Sequence, residues 1–233
     1  MASGKEWISV SDLMSVLMMV FLFIAILFML QVQSEQQEVE QQHQAMAAVA
    51  TSYDVARNGL HRELNTAFGD KLARWNAEIL ADGTMRFNHP QALFNVGSSE
   101  LNDDFRQTLD DFFPRYVAVL SSEEWRDEIS EIRIEGHTSS DWSGSLPDNE
   151  EDKYIRNAKL SQERAFAVLE YVYQLPAEQQ RRMWLRQVLR ATGASYAEPV
   201  LVEGEEDATR SRRVEFHAMP RADEKIYDIL RQL

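Results

Sequence analysis

The run Ile129-Ser130-Glu131-Ile132-Arg133-Ile134-Glu135-Gly136-His137-Thr138 decides the fold class. Ile132 and Ile134 alternate with Arg133 and Glu135, the two-residue period of a strand with one face in a core. An acidic loop from Ser139 to Asp152 follows. A helix from about Tyr154 to Gln174 comes next, carrying Leu160, Ala165, Val168, Leu169 and Val172, with Pro176 just past its end. A strand, a loop and a long helix in that order point to an α/β domain with a mixed sheet.

Working outward, Ile79 to Phe87 reads as two short strands about the Asp82-Gly83 turn. Leu93 to Leu101 is a loop, and Asn102 is placed to cap a helix whose apolar face is Phe105, Leu109, Phe112, Phe113, Tyr116 and Leu120. Pro114 inside that helix is expected to kink it. Downstream, Met183 to Leu189 makes one or two helical turns, and Val214 and Phe216 mark a last strand. The globular domain is therefore expected over residues 79–220. Ile226, Ile229, Leu230 and Leu233 form a short amphipathic helix over 221–233.

Residues 31–78 read as a helical linker rich in Gln, Glu and Ala. Val32, Val39, Met46, Tyr53 and Leu60 fall seven apart, joined by Val49, Ala56 and Leu64. This repeat suits a left-handed supercoil with a second copy of the chain, a homodimer. The polar partners Glu35, Gln36, Gln42 and His43 leave a solvated single helix as the alternative. Asn58-Gly59 is a turn-type pair expected to break or kink the helix. Leu64, Phe68, Leu72, Trp75 and Ile79 continue as an amphipathic helix.

Upstream of the linker, Ile8 to Leu30 is apolar enough to span a membrane, behind a short tail at 1–7. At about 1.5 Å per residue it covers roughly 34 Å, enough for a hydrocarbon core of about 30 Å. Asp12 lies near its start, and Ser15 is the only polar side chain from Leu13 to Leu30. An acid there costs on the order of 3 kcal/mol, and a membrane helix has no need of it. Ser9, Ser11, Asp12 and Ser15 share one broad side of the helix, so Asp12 and Ser15 read as an ion-binding site in a conduction path. The alternative places Asp12 among headgroups at a frayed end. A carboxylate with nearby serines suits H+ or Na+, with H+ preferred, and no bound cofactor is expected.

The run is too long for a signal-peptide core and reads as an uncleaved anchor. Lys5 precedes the span, while Glu35, Glu38 and Glu40 follow it. The positive-inside tendency puts the N-terminus in the cytoplasm and the domain in the periplasm, across a bacterial inner membrane. The net charge of −14 argues against nucleic acid as a partner. With no cysteine, disulfides and thiolate metal sites are excluded.

Gly136-His137-Thr138, then Asn157-Ala158-Lys159-Leu160-Ser161-Gln162-Glu163-Arg164-Ala165, then Ser211-Arg212-Arg213-Val214-Glu215-Phe216 resemble, in order, the motifs of the OmpA-like peptidoglycan-binding domain. The resemblance covers about Ile79 to Met219. It implies that Arg164 clamps the carboxylate of a diaminopimelate stem, a task suited to a bidentate guanidinium. Asn157 and Leu160 would edge the pocket, with Tyr154 approaching it. The family's usual Asp is Ser139 here, so Asp141 either takes over the ammonium contact or the contact is lost. A packing role for the Arg164 stem is the plainer alternative.

Trp7 with Asp12-Leu13-Met14-Ser15 resembles the signature of MotB-class stator subunits. That likeness implies a homodimer inside a ring of MotA-like subunits, turned as the acid gains and loses an ion. The short tail, the directly attached Gln-rich helix and the long acidic loop depart from flagellar MotB. They resemble the ZorB branch, which acts with ZorA in Zorya anti-phage defence. A flagellar-type stator subunit and a passive wall anchor are the alternatives, and each predicts a different effect of changing Asp12. No enzyme is expected: Ser139, His137 and Asp141 lack a nucleophile-elbow pattern. The five histidines show no metal-ligand spacing.

Overall fold

The computed structural model describes residues 3–88, 93–95, 98–141 and 149–221, without the side chains of 3–12, 49, 50, 52, 53 and 56. The expected tail helix at 221–233 lies outside the described residues apart from Arg221. Two compact units divide the chain between Ala50 and Thr51.

The first unit is helical. Helix α1 (Ser3–Phe68) carries every side chain from Leu13 to Leu30 exposed, among them Met14, Phe21, Phe28 and Leu30. Its most apolar window has a mean hydropathy of 3.0 and is 0% buried. A soluble core helix would be covered by the rest of the chain; this one is uncovered and is long and apolar enough to cross a membrane. Val39 and Met46, each 50% exposed, continue an apolar stripe beyond it.

The second unit begins well before Ile79. Leu60, Leu64 and Phe68 are buried in its core, so Leu60 and Leu64 of the seven-residue repeat pack at home rather than in a seam between copies. Helix α1 also runs unbroken through Asn58-Gly59. Gly59 serves close packing there: a Cβ on it would stand 3.0 Å from the Trp125 ring. The helix ends at Phe68, and Leu72 and Trp75 follow in a turn segment rather than in helix. That segment closes at Asn76, whose φ is 49°.

Strands β1 (Ala77–Ile79) and β2 (Met85–Phe87) pair antiparallel about Gly83, whose φ of 87° suits glycine. Helix α2 (Asp103–Leu120) is capped by Asn102, whose side chain accepts from the Phe105 backbone N–H at 2.8 Å. All six expected apolar residues of α2 are buried, with Val117 beside them, and the helix continues through Pro114. Strand β3 (Ile129–Gly136) leads to α3 (Glu150–Gln174). This helix starts one turn earlier than the apolar pattern indicates, because Asn149 caps it and Glu150, Glu151 and Asp152 favour its positive end.

A short 3-10 turn (Pro176–Glu178) and α4 (Arg182–Val188) return the chain to β4 (Leu189–Gly193), which runs parallel to β3. Only Leu189 of β4 is buried, so the strand has little apolar pattern to reveal it. A hairpin of β5 (Leu201–Val202) and β6 (Glu205–Glu206), then α5 (Ala208–Ser211), precede β7 (Val214–Pro220). The five-stranded sheet has the order β1-β2-β7-β3-β4. Phe112 and Tyr116 of α2 pack against Phe216 of β7 at centroid distances of 5.1 and 6.0 Å, which fixes the helix-covered face.

Candidate functional site

The site forms where the end of β3 meets α3. Gly136 and Gly193 stand opposite each other in the β3–β4 register. A Cβ on Gly136 would lie 2.3 Å from the Ser161 carbonyl oxygen, and one on Gly193 2.3 Å from the Gln162 nitrogen. Both contacts are with backbone, so α3 reaches the sheet only because neither residue has a side chain. The Ser195 backbone N–H donates to Ser161 Oγ at 3.0 Å, and the Gly193 N–H donates to Gln162 Oε1 at 2.9 Å. The Leu-Ser-Gln run thereby docks α3 onto the edge strand and sets the height of Arg164.

Asn157, Ser161 and Arg164 form one buried stripe on α3. Arg164 is 6% exposed, donates from Nε to the Ser98 carbonyl at 3.0 Å and lies over the Phe94 ring at 5.0 Å. Burial, and then the charge of Arg212, bring its pKa down to about 10, so it stays cationic at neutral pH. Among the described residues, no carboxylate stands within ion-pair distance of Arg164 or Arg212. Two neighbouring guanidiniums with no carboxylate partner among the described residues have the charge to receive an anionic group.

Arg212 donates from Nη1 to Ser139 Oγ at 3.1 Å, and Ser139 Oγ donates to the Asp141 carbonyl oxygen at 3.4 Å. Ser139 is buried, and Asp141 is exposed. The Asp141 main chain is thus tied to the arginine pair while its side chain faces solvent. Asn157 Nδ2 donates to the Lys153 carbonyl at 3.1 Å. Leu160 is half-buried, and the exposed Tyr154 meets the Tyr196 ring edge-on at 5.8 Å. The structure therefore brings Arg164, Arg212, Ser139 and the Asp141 backbone together. Tyr154 belongs to a neighbouring aromatic pair.

The second Arg of the Arg-Arg pair does different work. Arg213 Nε donates to Glu215 Oε1 at 2.5 Å, and Arg86 Nε donates to the same oxygen at 2.7 Å. His217 Nε2 lies 2.9 Å from Glu215 Oε2. Burial by itself would raise the Glu215 pKa, but His137, His217 and Arg213 outweigh it and hold the carboxyl well below the usual range. This buried charge ladder lies on the sheet face opposite the helices. His137 is 1% exposed; its Nε2 lies 3.6 Å from Glu215 Oε2 and 3.9 Å from Glu135 Oε1, and among the described residues neither ring nitrogen makes a hydrogen bond of ordinary length. Ser139 Oγ is engaged with Arg212 and the Asp141 carbonyl, whereas His137 turns its ring toward Glu135 and Glu215 and donates from its backbone N–H to the Arg213 carbonyl at 3.0 Å.

Within the membrane helix, Asp12 belongs to α1, but its side chain lies outside the described residues. Ser15 is exposed on the surface of the single chain.

No family model matches the chain. It is 40% identical over 231 residues to the Zorya protein ZorB of Escherichia coli strain ATCC 8739, covering 98% of this chain and 94% of that protein. The chain belongs to the ZorB family. The match spans the apolar helix, the linker and the sheet domain alike. Likenesses to solved structures include the type VI secretion cell-wall anchor of Pseudomonas aeruginosa, with TM-score 0.46, 21% identity, and 67% of this chain and 96% of that one covered. Others are the periplasmic domain of Helicobacter pylori MotB (TM-score 0.44, 17% identity, 67% and 97% covered) and a MotB-like protein of Desulfovibrio vulgaris (TM-score 0.43, 25% identity, 76% and 93% covered).

Arg212, the guanidinium near Arg164 that bonds Ser139 in this ZorB-family chain, is the residue that sequence reasoning missed. Its signal is present in the strand period: Arg212, Val214 and Phe216 alternate with Arg213, Glu215 and His217. Val214 and Phe216 are core residues, so the same alternation directs Arg212 to the α3 side and Arg213 to the other.

Proposed function

We propose that this ZorB-family protein is the membrane stator subunit of an ion-driven motor that is anchored to peptidoglycan and acts in anti-phage defence. One observation carries the proposal. A single chain joins an exposed apolar span with an acid near its start to a domain that sets two guanidiniums, Arg164 and Arg212, near each other with no carboxylate paired to either among the described residues.

At the domain, Arg164 and Arg212 hold a carboxylate of the peptide stem, and the Asp141 region receives its ammonium group. Asn157 and Leu160 border the stem, and Tyr154 meets it at the outer edge. At the membrane, Asp12 with Ser15 takes up and releases a cation, preferably H+. Its charged and neutral forms then contact a MotA- or ZorA-like ring differently, so each transfer biases a two-state contact. One charge crossing supplies about 2.3 kcal/mol per 100 mV, comparable to the cost of placing the acid in the span. Two copies paired along the linker form the core of that ring. The N-terminus lies in the cytoplasm and the sheet domain in the periplasm.

The test is Asp12→Asn in cells carrying the complete system. Loss of phage protection with unchanged membrane insertion and abundance is the expected result. Undiminished protection would reduce the protein to a wall anchor.

A further inference from the structure

Behind the anion pocket, on the opposite face of the sheet, three side chains converge that have no part in wall binding. Glu135 and His137 lie two apart on one side of the strand end, and Glu198 comes from the segment after β4. Each offers a ligand atom, and these atoms all lie within 4.8 Å of one another. Donors on one zinc ion stand about 3.4 Å apart for bonds of about 2.0–2.1 Å, so side-chain rotation of both Glu135 and the exposed Glu198 is needed to close the set.

A trio containing two acids is no site by itself. The second observation is His137. It is 1% exposed, neither ring nitrogen makes a hydrogen bond of ordinary length among the described residues, and Nε2 faces Glu135 Oε1 at 3.9 Å. A buried imidazole whose nearest acceptors stand beyond hydrogen-bond length is costly, and coordination of one nitrogen to an ion removes that cost. The neighbouring Glu215 Oε2 lies 3.6 Å from Nε2, longer than a hydrogen bond. Glu215 is already committed to Arg213, Arg86 and His217, and so remains outside the set.

We propose that Glu135, His137 and Glu198 bind a divalent first-row transition ion of the zinc type. One imidazole with two carboxylates suits that class better than the all-oxygen shells of magnesium or calcium. An exposed Glu198 provides the entry path and leaves room for water on the ion. Bound there, the ion ties the end of β3 to the segment that leads on to Arg212. That segment is also held by the Thr138 N–H to the Ser195 carbonyl at 2.8 Å, by the Ala194 N–H to the Gly136 carbonyl at 2.9 Å, and by Arg213 Nη1, which donates to the Glu198 carbonyl at 3.0 Å.

The test uses the full chain purified in detergent and stripped with a chelator. Zinc chloride is titrated against a chromophoric competitor, and cobalt chloride is added separately for its visible absorption. One zinc per chain is expected, retained in excess magnesium chloride, with cobalt bands that zinc abolishes. Glu198→Gln, at an exposed position, keeps the fold and weakens zinc binding about tenfold or more. His137→Gln loses both the zinc and the cobalt signal. No retained zinc, or zinc bound equally well by Glu198→Gln, overturns the proposal even if His137→Gln fails to fold.

Discussion

Gly136 faces Gly193 across the parallel β3–β4 pair, and both lie against the backbone of one turn of α3. Adding a methyl to either pushes the helix off the sheet, because the obstructing atoms are main chain and cannot rotate away. Gly136→Ala and Gly193→Ala are each expected to destabilise the domain by about 3 kcal/mol or to prevent folding. Denaturant unfolding measures this, and a change below about 1 kcal/mol would show that α3 has room to move.

Removing either guanidinium from the pocket should weaken wall binding without unfolding the domain. Charge-assisted hydrogen bonds are worth about 1.5–3 kcal/mol, so Arg164→Ala and Arg212→Ala should each lower retention on purified sacculi about ten- to a hundredfold. Arg164→Lys should not restore it, since an ammonium lacks the planar fork. Full retention by both alanine variants would remove the wall-binding role.

The His217–Glu215 contact gives stability a defined pH course. Burial lowers the His217 pKa, but contact with Glu215 and the charges of Glu135 and Asp82 raise it above its ordinary 6.5 overall. Its contribution is complete below about 6.5 and is lost as pH rises through the folded value. Glu215 shifts the other way, so its contribution is present above about 4.5 and is lost as pH falls through its folded value. Both are complete between those limits. Melting temperature should therefore fall on the alkaline side, and less steeply in His217→Gln; parallel curves for the two proteins would contradict the pairing.

Tyr116 stacks on Phe112 at 5.0 Å, yet its buried hydroxyl has no hydrogen-bond partner among the described residues. Tyr116→Phe keeps the ring and removes the unsatisfied group, so it should leave stability unchanged or raise it by about 1 kcal/mol. A comparable loss in chemical denaturation would reveal a partner for that oxygen.

Pairing of two copies is tested along the linker. The chain contains no cysteine, so Val39→Cys and Met46→Cys each introduce the sole thiol. Both positions are half-exposed on the single chain. Oxidation in membranes should give a crosslinked dimer for each, and monomer alone would leave the apolar stripe to a different partner.

Several features of this protein were legible in the residues alone. The span from Ile8 to Leu30 follows from its length and apolarity, the faces of α2 and α3 from helical spacing, and the Asn102 cap from its place before an apolar repeat. Arg164 was legible through the resemblance of the run from Asn157 to Ala165 to the OmpA-like motif. These are local properties, set within a few turns of one element. Tertiary structure decided the rest. It carried α1 through Asn58-Gly59 because Trp125 needs the missing Cβ, and it placed Leu60 and Leu64 in the domain core. It made a strand of Leu189 to Gly193 on the strength of β3 alongside, and it set Arg212 beside Arg164 and Glu198 beside His137. Those partners are far apart in the chain, and periodicity reports only which way a side chain points, never what meets it there.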